Sequence, residues 1–241
     1  MEKIRKVTLC YFFKRLDINP KDKIKELSDE LKSVLDGQFV FNNEEINHLF
    51  SLPRVQALSN DKKVLFQMSL INANVFFTIN EQDEDDVVLL INNNIQLFYD
   101  VLKEVYNIDI IYSSIKIESF EEKEKPATYL ANKFNISEDL ENFSINRGYT
   151  KDNYYINVIY NSSNEYNFDI LGGANMSEQD LFDNTMITSL SEAKMGGKFI
   201  IKIIGINDRL AFNKDKDYLS SKENIRGMIL ELKKLLQNEK I

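Results

Sequence analysis

The chain has 241 residues, 43% apolar and 28% charged, enough for a substantial core in one large domain or two small ones. A net charge of −8, spread over both halves, argues against a broad basic footprint for nucleic acid, where affinity comes mainly from phosphate neutralisation. One cysteine, Cys10, excludes an intramolecular disulfide, and one histidine, His48, leaves too few soft ligands for tetrahedral zinc.

The first element predicted is a strand over residues 4–14, "IRKVTLCYFFK", from its β-branched and aromatic content. Its short apolar run ends in Lys14-Arg15 with no small-residue cleavage site, so it is not read as a signal peptide. Asn19-Pro20 predicts a helix start, with Asn19 as cap and Pro20 at the first position. Ile24, Leu27, Leu31 and Val34 give that helix its apolar stripe, and Gly37 stops it. Asn42 and Glu45 resemble a capping box for a short helix carrying His48.

Val64–Ile71 and Val75–Ile79 read as a hairpin turning at Asn72-Ala73-Asn74. The acidic run 81–86 suits a helix N-terminus, and Val87, Ile91, Ile95, Phe98, Leu102 and Val105 stripe the helix that follows. A strand is predicted over 108–117. The order is then β-α-β-β-α-β, that of a ferredoxin-like unit. Residues 121–150 read as a charged linker with a weak helical stretch at 127–143.

The C-terminal part, 151–241, repeats much of this order. Strands are expected at 154–160 and 166–171, and a helix from Ser177 to Lys194. A second hairpin is expected from Phe199–Ile204 and Arg209–Phe212, and a last helix is capped by Ser220 and Glu223. "FQMSLINANVFFTIN" at 66–80 and "FIIKIIGINDRLAFN" at 199–213 then look like one hairpin-then-helix unit used twice, 133 residues apart. The expectation is an α+β protein of two ferredoxin-like halves, 1–120 and 151–241, each with its own antiparallel sheet backed by helices.

Few groups point to chemistry. There is no nucleophile elbow, phosphate loop or dinucleotide fingerprint. Cys10 sits between apolar neighbours, as an inert buried thiol does. The acidic run 83–86 and the trio Asn213, Asp215 and Asp217 offer oxygens for a hard cation, but Tyr218 stands where a calcium loop needs glycine. Both lie before helices, where acids are favoured anyway. Gly172-Gly173 before Ser177 reads as a turn. The segment 146–160, "NRGYTKDNYYINVIY", is the exception. Arg147, Tyr149, Lys151, Tyr154 and Tyr155 combine cations with aromatics, the mixture found at protein interfaces and on single-strand stacking surfaces.

The functional expectation is a non-enzymatic, cytoplasmic protein-binding module: an inhibitor, immunity or accessory protein. Its partner is another protein, and no cofactor, metal or membrane is called for. The longest uncharged run, Val64 to Asn80, is broken by polar residues and short for a span. The Asn, Ile and Lys bias matches AT-rich coding, as in low-GC bacteria, their mobile elements or phages, where defence and counter-defence proteins occur. Nucleic-acid binding through 146–160 and metal-dependent hydrolysis by the acidic clusters are the alternative expectations.

Overall fold

The structure is a computed structural model that describes residues 2–37, 39–41, 49–82, 84–137, 140–163 and 198–238. It is α+β, with a large antiparallel sheet backed by helices. The strands are β1 (Lys3–Phe13), β2 (Phe39–Phe41), β3 (Val55–Leu58), β4 (Val64–Met68), β5 (Asn72–Gln82), β6 (Ile110–Glu122), β7 (Ser144–Lys151), β8 (Tyr154–Ser163) and β9 (Phe199–Asn207). The helices are α1 (Ile24–Leu31), α2 (Glu84–Tyr106), α3 (Pro126–Lys133), α4 (Arg209–Lys214) and α5 (Lys222–Asn238). Among the described residues, the sheet order is β2-β3-β4-β5-β1-β6-β9-β8-β7, and every neighbour is antiparallel.

Two sheets are expected from the sequence; among the described residues there is one. β6 pairs with β1 along one edge and with β9 along the other, from Ser114↔Asn207 to Glu122↔Phe199. A hydrophobic pattern says which face of a strand is buried. It does not say which strand lies alongside, and here a strand from the far half satisfies the outer edge of β6.

The core lies on one side of the sheet. Val7, Leu9, Tyr11 and Phe13 of β1 alternate onto it with Ile115 and Ile117 of β6, Ile204 and Ile206 of β9, and Ile156, Val158 and Tyr160 of β8. The predicted α2 stripe packs over the β1 side of the sheet, with Val87, Ile91, Ile95, Phe98 and Leu102 all buried, while α3 covers β8 and α5 covers β9. The buried Tyr11 hydroxyl donates to the Ile95 carbonyl at 2.7 Å, so this large side chain enters the core with its polar end satisfied. α5 runs antiparallel to α2, joined by Lys222–Asp100 at 2.6 Å and Arg226–Gln96 at 3.4 Å. The other side of the sheet carries a polar row through Gln56, Gln67, Asn74, Cys10, Ser114, Asn207, Tyr155 and Thr150, one residue from each of eight strands.

Several local expectations hold. Asn19 accepts from the Lys21 N–H, and Pro20 opens a 3-10 turn that leads into α1. The helix stop does not fall where expected: α1 ends at Leu31, before Val34 and short of Gly37. Gly37 is constrained by packing instead, since a Cβ there would lie 1.8 Å from the Leu58 carbonyl oxygen. The first hairpin forms, but its turn is at 69–71. The Ser69 hydroxyl accepts from the N–H groups of Ile71 and Asn72, both at 3.1 Å, while Asn72 and Asn74 lie within β5.

The second hairpin does not form. β9 continues to Asn207, and residues expected to return as a strand, Arg209–Phe212, lie in α4. The repeat of hairpin and helix therefore loses its second copy. β2, β3 and β7 are strands that sequence periodicity did not mark, because two are very short and the third has Ile145 as its one aliphatic residue. The weak helical stretch is α3 alone, ended by Asn135 in the left-handed region (φ 60). The box around His48, the strand at 166–171, the glycine pair and the helix at 177–194 lie outside the described residues.

Candidate binding site

β7 and β8 form a hairpin at the rim of the sheet, closed by Asp152-Asn153 with Asp152 in the left-handed region (φ 53). All five residues singled out from sequence belong to it. The register divides them between two faces. Arg147, Tyr149, Lys151 and Tyr154 alternate onto the helix-covered side, and Tyr155, opposite Thr150, stands on the other.

On the helix side two of them are tethered to α5. Lys151 forms an ion pair with Glu231. Burial pushes the Glu231 carboxyl up, but its bonds to Lys151 and Lys234 outweigh this and hold it below its ordinary value. The Tyr154 hydroxyl donates to the Asn224 carbonyl at 3.1 Å and lies over Gly227, where a Cβ would sit 2.1 Å from that oxygen. Arg147 lies 6.0 Å from the centre of the Phe134 ring beside α3. Tyr149 remains 37% exposed and Tyr155 41%, so each side of the rim offers one tyrosine to solvent. Tyr155 lies along its cross-strand neighbour Gly148, where a Cβ would meet its hydroxyl at 2.3 Å. The hairpin is thus a fixed rim with two outward tyrosines, not a single aromatic platform.

A second constellation went unmarked in the sequence. Asp208, at the end of β9, is fully buried. Its Oδ1 accepts from the Ser113 N–H at 2.7 Å; its Oδ2 accepts from the Ser220 hydroxyl at 2.6 Å and the Tyr218 hydroxyl at 2.9 Å. The Ser113 hydroxyl lies 3.1 Å from that of Ser220, and Tyr99 of α2 donates to the Ser220 carbonyl at 2.8 Å. Burial raises the Asp208 carboxyl above its ordinary value, against the opposing effect of its hydrogen bonds. The serines resemble a relay, but Asp208, Ser113 and Ser220 are all buried, and the arrangement joins three elements. It also moves the helix cap. Ser220 turns inward, so Ser221 caps α5: its hydroxyl accepts from the Asn224 N–H at 3.2 Å, and the Asn224 side chain accepts from the Ser221 N–H at 3.3 Å. No motif joins Asp208 to Ser113, 95 residues away.

The remaining candidates are simpler. Cys10 is buried and its thiol is pushed up to about 12 by burial, against a bond with Ser114. Among the described residues no three His, Cys, Asp or Glu side chains converge as metal ligands. Asp215 caps a local turn by accepting from the Asp217 N–H at 3.0 Å, and Asp83 and His48 lie outside the described residues. A cleft of about 260 Å³ between the end of β1 and the end of α2 is lined by Lys14, Arg15, Asp17, Tyr106 and Asp109, with both charge signs present. No helix among the described residues is long and apolar enough to cross a membrane.

No protein-family model matches the chain, and no curated protein matches it. Among solved structures it is similar to the duplicated taurocyamine kinase from Schistosoma mansoni. The substrate-free form is 12% identical over 98% of this chain at a TM-score of 0.30, and the form with bound transition-state analog components is 10% identical over 98% at 0.30. The chain spans about one third of those kinases, 34% and 33% of their lengths, and at such scores neither likeness carries an argument about fold or function.

Proposed function

We propose that the chain is a non-enzymatic protein-binding module, an inhibitor, immunity or accessory protein, and that it binds through the β7–β8 rim. One observation carries this reading. Among the described residues β7 pairs on one side only, with β8, and it is an eight-residue strand without proline. Such an edge offers backbone donors and acceptors to an extended segment of a partner, and the exposed Tyr149 and Tyr155 flank it above and below. The ferredoxin-like reading is kept for the first half, where the order β4-β5-β1-β6 with α1 and α2 supports it.

Capture on the immobilised chain tests the function, with Tyr149→Ala/Tyr155→Ala as control. A saturable protein partner retained by the native chain and lost by the double variant is expected. Retention of no protein, or equal retention by both, overturns the reading. Nucleic-acid binding through 146–160 would need its five residues on one face, whereas Tyr155 stands opposite the other four.

A further inference from the structure

The rim has a chemistry of its own that names its best occupant. The Ser162 N–H donates to the Phe143 carbonyl at 2.8 Å, which fixes the alternation along the hairpin. Odd-numbered residues of β7 direct their backbone groups at β8. Ser144, Asn146, Gly148 and Thr150 direct theirs outward. Edges are commonly blunted by proline, a bulge or charged side chains. β7 has no proline and an unbroken register, and its two cations alternate onto the helix side, where Lys151 is held by Glu231.

We infer that this edge pairs antiparallel with β7 of a second copy of the chain, about a two-fold axis through Gly148, so that one sheet runs through both molecules. The inference rests on reading the rim as a protein-binding site. The strand "SINRGYTK" is self-complementary in this register. Gly148 faces its own copy and adds no side chain there, so that only the Tyr155 hydroxyl of each copy lies over the axis. Asn146 faces the second copy's Thr150, and Arg147 faces the second copy's Tyr149, twice by symmetry, as a cation beside a ring. An axis one residue earlier sets Arg147 against itself. One residue later it sets Arg147 against Lys151. Both place like charges directly opposite, which destabilises a strand pair.

A single strand pairing buries less than the roughly 1,600 Å² of a standard interface, so assembly belongs to high concentration. The copies also repel through their net charge of −8, so added salt strengthens the pairing by screening. An acidic partner strand would show the opposite salt response.

Sedimentation velocity and light scattering of the full chain, from micromolar to millimolar concentration, test this. A concentration-dependent dimer, favoured by salt, is expected. Thr150→Pro removes one outward N–H and leaves the β7–β8 ladder intact. It should weaken self-association at least tenfold with circular dichroism unchanged. Register is read by Asn146→Cys/Thr150→Cys, which should oxidise to a linked dimer, while neither single variant links. Cys10 is buried and stays out of the reaction. A chain monomeric at millimolar concentration, a dimer indifferent to Thr150→Pro, or single variants that link as readily as the double variant overturns the inference. A monomer that still captures another protein in a tyrosine-dependent way leaves the proposed function standing; a monomer that captures none removes both.

Discussion

Asp208 decides more of this molecule than any other polar side chain described. Its carboxylate collects the end of β9, the start of β6 and the loop before α5 at one point. Replacement by alanine leaves a backbone N–H and two hydroxyls without their acceptor in a closed site and should cost about 3 kcal/mol in urea unfolding. The pH dependence has a definite sign. Burial raises the folded-state carboxyl above its ordinary 3.8, so the folded chain holds this proton more tightly than the unfolded chain. Its stabilising contribution is complete below about 3.8 and is lost as pH rises through the folded value. The melting temperature of the native chain, relative to Asp208→Asn, should therefore fall as pH rises from 3.8. A difference independent of pH would mean that Asp208 is not held as described.

At the scale of elements, glycines and caps set the joints. Gly227 lies within α5, where Gly→Ala ordinarily gains about 1 kcal/mol. Here the Tyr154 hydroxyl occupies the space of the new methyl. Gly227→Ala should destabilise the native chain and cost at least about 1 kcal/mol less in a Tyr154→Phe background, as a double-mutant cycle would measure. Ser221→Ala should lower stability by about 1 kcal/mol through the lost cap, with the effect read as a shift in urea midpoint. The cap was visible in the sequence only to within one residue. "SSKEN" allows either serine to lead, and Asp208, far away in sequence, takes the first. In the same way "GINDRLAFN" carries enough apolar residues for a strand. Asp208 is drawn into its buried network and the chain turns into α4 instead.

Over the whole molecule, the β6–β9 ladder makes the two predicted halves share one sheet. Unfolding should be a single transition, with coincident curves from far-ultraviolet circular dichroism and from the fluorescence of the 11 tyrosines, the chain having no tryptophan. Two separated transitions would mean that the halves are independent units. The sequence by itself determined the long elements: β1, α1, α2, β6, β8 and α5 follow from apolar periodicity and local caps, which depend on neighbours a few residues away. It also marked the rim segment by composition. Only the tertiary structure decided that β6 lies beside β9, that Tyr155 and Tyr149 look to opposite sides, and that Asp208 meets Ser113. These depend on which distant strand fills an edge and which polar group finds a partner in the closed interior. Such pairings join residues far apart along the chain and leave no periodic trace in it.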